Sequence, residues 1–106
     1  MHHELEPLVG LLRVLSDRTR MHILMTLADG ERNVSSLCRE LGLPQPTVSH
    51  HLSLLRERRL ISNHRRGKNV FYGLHVEVLQ NDGTMAFRAE RYHVQIRSTS
   101  SNKRSG

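Results

Sequence analysis

The chain has 106 residues, the length of one domain, which argues against a multidomain enzyme. Sixteen lysines and arginines against ten aspartates and glutamates give a net charge of +6, and this excess indicates an anionic partner. The single cysteine, Cys38, excludes the disulfide-stapled secreted class and the zinc-finger class. No apolar stretch approaches the roughly 20 residues that cross a bilayer, so we expect a cytoplasmic protein without a membrane partner.

The positive charge is concentrated in the middle of the chain. Residues 39–68 hold seven basic and two acidic side chains, whereas residues 1–38 hold four basic and five acidic ones. Because about a quarter of the chain carries most of the excess, this segment is the first candidate for contact with an anionic partner.

Two amphipathic helices are predicted before the basic segment. The first spans residues 5–15, because its apolar residues recur at helical spacing and Pro7 falls in the first turn, where a missing N–H costs little. Ser16 and Asp17 end this helix and offer an N-cap to a second helix over residues 18–28, which the turn pair Asp29-Gly30 closes. One small domain cannot easily cover the apolar face of the first helix. We therefore expect a homodimer held mainly by the C-terminal segment and by Leu5, Leu8, Val9 and Leu12.

A closely spaced pair of helices follows. Ser35 is the expected N-cap of a short third helix, and Gly42 is placed as the C′ residue that takes a positive φ. Pro44-Gln45-Pro46 fits only the start of a fourth helix, which continues to about Arg59. The apolar stripe of that helix consists of Val48, Leu52 and Leu55. Helix, glycine turn and helix form the pattern of a helix-turn-helix.

Alternating residues from Ile61 to Leu74 predict a β-hairpin with a basic tip, Arg66-Gly67-Lys68-Asn69. The order of elements predicts a mostly α-helical fold with a small β-hairpin, a winged helix-turn-helix. Periodicity leaves residues 75–97 open between helix and strand, although Asn81-Asp82-Gly83 argues against one continuous helix. We assign residues 1–97 to one DNA-binding and dimerisation domain and the serine-rich residues 98–106 to a flexible basic tail.

Three separated motifs resemble those of the ArsR/SmtB transcriptional repressors. They are Leu15-Ser16-Asp17-Arg18-Thr19-Arg20, the run GLPQPTVSHHL at residues 42–52, and Leu54-Leu55-Arg56-Glu57. The hairpin stands where that family has its wing, and the likeness covers roughly residues 8–74. The resemblance implies a homodimeric winged-helix repressor that sits on operator DNA and leaves when an inducer, often a metal ion, binds.

Neither of the family's two best-known metal sites is matched, so we expect no metal site and no cofactor. The thiolate pattern has cysteines where this chain has Asn33 and Ser35, and the other pattern has a histidine or glutamate where Ile96 stands. Cys38 is interpreted as a small buried hydrophobe. Met1-His2-His3 matches a square-planar Cu(II) or Ni(II) chelate, and the sequence leaves open whether this terminus or Cys38 senses anything.

Polar residues in the first turns of the fourth helix are the candidates for base contact. A recognition helix places these turns in the major groove, where glutamine pairs with adenine and serine or threonine reaches bases or phosphates. The candidates are Gln45, Thr47, Ser49, His50 and His51. For His51, packing or capping is an equal alternative. The wing residues expected to contact phosphates or the minor groove are Arg65, Arg66 and Lys68.

The sequence therefore predicts a homodimeric repressor that binds an inverted repeat in double-stranded DNA, with an unknown inducer other than the usual family metals. Two alternatives stay open. One is a repressor that senses metal through histidines such as His75 and His93, and the other is a winged-helix module that binds a protein partner or RNA. An enzyme is not expected, since the chain lacks a Gly-rich phosphate loop, a nucleophile elbow and a Cys/His pair at catalytic spacing.

Overall fold

The structure, a computed structural model, describes residues 2–81, 83–88 and 92–98, without the side chains of residues 2–4, 77 and 80. Within these residues the chain forms four helices and six strands. The helices are α1 (His2–Leu15), α2 (Arg18–Ala28), α3 (Val34–Leu41) and α4 (Gln45–Glu57). The strands are β1 (Arg32–Asn33), β2 (Ile61–Arg66), β3 (Asn69–Leu74), β4 (Glu77–Asn81), β5 (Thr84–Arg88) and β6 (His93–Arg97).

The winged helix-turn-helix expected from the sequence is confirmed. The antiparallel hairpin β2–β3 pairs Ile61 with Leu74 and Arg66 with Asn69, and the short β1 joins its outer side to give the sheet order β1-β3-β2. Helices α3 and α4 flank a turn at Gly42, which adopts the predicted left-handed conformation with φ 69°. Among the helices described, none combines the length and apolar character that a bilayer crossing requires.

The ends of the helices follow local capping chemistry. Of the two predicted cap residues, Asp17 caps α2, and its carboxylate accepts a hydrogen bond from the N–H of Arg20 at 3.0 Å. The predicted cap of α3 was wrong: Asn33 caps this helix, and its side chain accepts from the N–H of Ser36 at 2.8 Å. Asn33 has extended backbone dihedrals because it ends β1, so Ser35 already lies inside the helix.

Helix α4 ends in a left-handed residue that is not glycine. Arg59 has a φ of 59°, and the N–H of Leu60 donates to the carbonyl of Leu55 at 3.0 Å, as in a Schellman cap. For a side chain larger than glycine this conformation costs roughly 1 kcal/mol. The helix therefore stops at Glu57, two residues before the predicted end, and the chain turns directly into β2.

One apolar core joins the helices to both sheets. Buried leucines from every helix meet Leu60, Ile61 and, from the second sheet, Phe87, which is 1% exposed. A side chain of this kind contributes about 1.5–3 kcal/mol when it is fully buried. The helix residues of this core are Leu11, Leu15, Ile23, Leu24, Leu27, Leu37, Val48, Leu52 and Leu55.

Residues 75–97, which the sequence left open between helix and strand, form the second sheet with the order β4-β5-β6. Phe87 pairs with Val78 and Val94, and this side of the sheet packs on the core. Ser98, the first residue of the predicted tail, donates its N–H to the carbonyl of Gly83 at 2.7 Å. The rest of that tail, residues 99–106, lies outside the described residues.

Candidate nucleic-acid interface

The second helix of the motif, α4, buries one side and exposes the other. Val48, Leu52 and Leu55 are buried in the core, which fixes the orientation of the helix. Of the predicted base-contacting residues, Gln45 and His50 are exposed, and Thr47 and Ser49 are half-buried. The N-terminal turns of α4 therefore present a polar surface that is free of acidic side chains.

His51 differs from the other candidates on α4, because its side chain is only 14% exposed and faces α2. Its Nδ1 lies 3.2 Å from a guanidinium nitrogen of Arg20 and 3.9 Å from the carboxylate of Asp17. Burial lowers the pKa of the His51 imidazole, and the nearby Asp17 carboxylate offsets this only in part. This environment favours the packing alternative for His51.

Sequence reasoning missed Ser53 as a candidate. Ser53 is exposed on α4, four residues after Ser49 and three after His50, so it extends the same polar surface by one turn. The signal was available as the helical period of the exposed polar positions.

The three predicted wing cations differ in whether their side chains are paired. Arg65 and Lys68 are exposed near the hairpin tip, next to Gly67 with its φ of 61°. Arg66 instead forms an ion pair with Glu31, and its guanidinium lies 4.8 Å from the centre of the Phe71 ring. Arg65 and Lys68 are thus available to a partner, whereas Arg66 must first leave Glu31.

Helix α1 carries an exposed apolar stripe. Leu5, Val9 and Leu12 are 51%, 40% and 43% exposed and follow one another at helical spacing, and Leu8 beside them is half-buried. Large exposed apolar side chains in one row indicate a protein contact surface. The second sheet adds two more exposed residues of this kind, Leu79 and Ile96.

Metal-ligating side chains do not cluster within the part of the chain that the structure describes: no group of three or more His, Cys, Asp or Glu could hold an ion there. Cys38 is half-buried against the core. His75 and His93 are both exposed; His75 lies in the bend between β3 and β4, and His93 is the first residue of β6. The proposed chelate at Met1, His2 and His3 lies outside the described residues and side chains.

Fold and surface together define a winged helix-turn-helix protein whose recognition-type helix stands beside a basic wing. Residues 17–63 match the model of the family described as bacterial regulatory protein, arsR family. The chain belongs to this family.

Relatives and solved structures agree with this assignment. The chain is 42% identical over 85 residues to the HTH-type transcriptional regulator KmtR of Mycobacterium tuberculosis, covering 77% of this chain and 64% of KmtR. It is 34% identical over 72 residues to the transcriptional repressor SdpR of Bacillus subtilis, covering 68% of this chain and 80% of SdpR. A homodimeric winged helix-turn-helix DNA-binding domain from Mycobacterium bovis superposes with a TM-score of 0.66 at 27% identity, covering 70% of this chain and 68% of that domain.

Proposed function

We propose that this chain is a sequence-specific DNA-binding transcriptional repressor that acts as a homodimer on an inverted-repeat operator. The observation that carries the proposal is the exposed polar start of α4 beside a basic wing, both fixed on one core. A helix of this kind enters the major groove of B-DNA, and cations on a hairpin reach the adjacent backbone or minor groove. Membership of the ArsR family supports the same reading of the surface.

The proposal divides the contacts into two kinds. Gln45, Thr47, Ser49 and His50 would read base edges, with Ser53 one turn further along the helix. Arg65 and Lys68 would neutralise phosphates, and Arg66 would join them when it leaves Glu31. Phosphate contacts position the protein without reading sequence, so specificity would rest on the start of α4.

The proposed dimer uses the apolar stripe of α1 together with the C-terminal segment. Exposed Leu5, Val9 and Leu12 would be covered by a second copy, and Leu79 and Ile96 supply further apolar area on the second sheet. Two half-sites about one helical turn apart require two recognition helices held by one rigid dimer. The homodimeric state of the Mycobacterium bovis domain supports this part of the proposal.

For the inducer, we propose a molecule other than the usual family metals. Asn33 is occupied as the N-cap of α3, and the chain offers a single thiol, Cys38. Soft metals need several thiolates, which one cysteine cannot supply. We propose that the protein has no enzymatic role and meets its operator in the cytoplasm.

Selection of bound duplexes from a random DNA pool tests the proposed function. We expect enrichment of an inverted repeat whose half-sites are about one helical turn apart, and competition with a scrambled duplex should show a preference of at least about a thousandfold. Binding that enriches no sequence, or that occurs only with RNA or a protein, would overturn the proposal.

A further inference from the structure

An open basic pocket lies where α4 ends and the wing begins. It has a volume of about 330 Å³ and is lined by Arg56, Arg59, Ile61, Ser62, Asn63 and His75. Every polar side chain of this lining can donate a hydrogen bond, and no carboxylate lines the pocket. The volume corresponds to that of about ten water molecules.

Within the part of the chain that the structure describes, the arginine side chains of this pocket are unpaired, as is that of Arg65 on the wing. Among the described residues, Arg32 pairs with Glu40 and Arg66 with Glu31, whereas the side chains of Arg56 and Arg59 have no ion pair or hydrogen bond. Arg59 also stands in a left-handed backbone conformation that glycine would adopt more easily. This conformation ends α4 and places Arg59 at the pocket.

The pocket lies away from the start of α4 and from the wing tip, and it adjoins the surface proposed for DNA at Ser53, three residues before Arg56. Arg56 follows Gln45 by eleven residues, which is roughly 16 Å along a helix axis. Ile61 precedes the wing tip at Gly67 by six residues, roughly 20 Å along a strand. A backbone hydrogen bond connects two segments that line the pocket: the N–H of His75 donates to the carbonyl of Leu60 at 2.9 Å.

From this geometry we infer that the pocket binds a small oxyanion, a phosphate or carboxylate compound of about ten non-hydrogen atoms. The guanidinium groups of Arg56 and Arg59 would hold the anionic oxygens, as planar forks of donors suit both chemistries. Ser62, Asn63 and His75 would bind the remaining oxygens, and the buried Ile61 forms an apolar floor. We place this anion site beside the proposed DNA contact and outside it.

Titration of the free protein with inorganic phosphate and, separately, with succinate tests the site by amide chemical shifts, at constant ionic strength with chloride as the reference. We expect saturable shifts confined to residues 56–63 and 75. Arg59→Gly should weaken binding at least tenfold while it raises the Tm by a few degrees, because glycine relieves the left-handed strain. Arg58→Gln is the matched control, since Arg58 packs against Gly10 outside the pocket lining, and it should leave anion binding unchanged.

Three results would overturn the inference. These are shifts that do not saturate, equal losses of binding in Arg59→Gly and Arg58→Gln, and full binding in Arg59→Gly.

A second experiment, the salt dependence of DNA binding, distinguishes a free anion from a DNA phosphate as the ligand of the pocket. We expect Arg59→Gly to leave the salt dependence of DNA binding unchanged, and a decrease of about 0.9 per protomer in its slope would identify a DNA phosphate as the ligand and overturn the inference. The titration needs no DNA, so its outcome is distinguishable from failure of the proposed repressor function.

Discussion

A guanidinium nitrogen of Arg20 on α2 lies 3.2 Å from Nδ1 of His51 on α4. Arg20 only donates hydrogen bonds, so this contact requires the His51 tautomer in which Nδ1 accepts and Nε2 carries the proton. The same arginine donates from Nε to the carbonyl of Val14 at 2.7 Å, at the end of α1. One side chain therefore links the end of α1 and the start of α2 to the helix proposed to read DNA.

Replacing Arg20 should destabilise the fold. We expect Arg20→Ala to lower the free energy of unfolding by about 2–3 kcal/mol, because it leaves the carbonyl of Val14 and Nδ1 of His51 without their charged donor. Arg20→Lys should recover only part of this loss, since an ammonium cannot span both acceptors as the guanidinium fork does. Urea unfolding measures both. Arg18→Ala, on the exposed side of the same helix, is the control and should change stability by less than about 0.5 kcal/mol.

The environment of His51 predicts a pH dependence of stability. Burial lowers the pKa of His51 below its ordinary value of 6.5, so between the folded and unfolded pKa values the unfolded chain binds more protons. Stability should therefore be complete above about pH 7 and decrease as the pH falls through 6.5 toward 5. The pKa of Asp17 is also lowered, chiefly by the N–H of Arg20, and its contribution is lost only below about pH 4.

Unfolding experiments from pH 5 to pH 8 check this dependence. His51→Gln should flatten the profile between pH 5 and 7. His50→Gln removes only a minor cause of the lowered His51 pKa and should keep most of the decrease. Equal profiles for His51→Gln and the wild type would show that His51 does not carry the effect.

The elements that could be predicted from the sequence depend on neighbouring residues. Gly42 and Pro44-Gln45-Pro46 determine where α3 ends and α4 begins, because a positive φ and a missing N–H are local restrictions. The ion pair between Glu31 and Arg66 joins residues 35 positions apart, so no local sequence pattern predicts it. The second sheet was undecided for a similar reason, since Phe87 is buried in a core made mainly of residues from distant helices.

The ion pair between Glu31 and Arg66 predicts that Glu31 restrains the wing. We expect Glu31→Gln to raise DNA affinity by up to about fivefold at low salt, because an exposed ion pair contributes about 0–1 kcal/mol and its loss frees Arg66. The slope of log K against log salt should steepen by about 0.9 for each arginine that gains a phosphate. Binding measured by fluorescence anisotropy at several salt concentrations gives both quantities.

Glu40→Gln is the matched control for the wing. It removes the same charge and also separates an exposed carboxylate from an arginine, Arg32, which is not on the wing. Long-range attraction to DNA should therefore rise equally in both variants, and only their difference reports on Arg66. Equal slopes for the two variants would exclude a restraining role for Glu31.

The stripe on α1 predicts how the dimer can be broken without unfolding the protomer. Val9→Glu places a charge among exposed apolar residues and should shift sedimentation from dimer to monomer, with a sharp loss of operator affinity. Deleting residues 1–15 would be less informative, since Leu11 and Leu15 belong to the core. Ser53→Glu adds the same charge to an exposed position on α4 and should remain dimeric. A dimeric Val9→Glu variant would place the interface elsewhere.

The last prediction separates base reading from phosphate binding. Gln45→Ala and Ser49→Ala should each reduce the preference for operator over scrambled duplex by about 1–3 kcal/mol, while nonspecific affinity and its salt slope stay nearly constant. Arg65→Ala with Lys68→Ala should give the reverse pattern, a flatter slope on both DNAs and little loss of preference. Competition binding measures the contrast, and circular dichroism excludes a general loss of fold, which would weaken both kinds of binding together. Equal losses on the two duplexes in folded Gln45→Ala and Ser49→Ala variants would remove these residues from base reading.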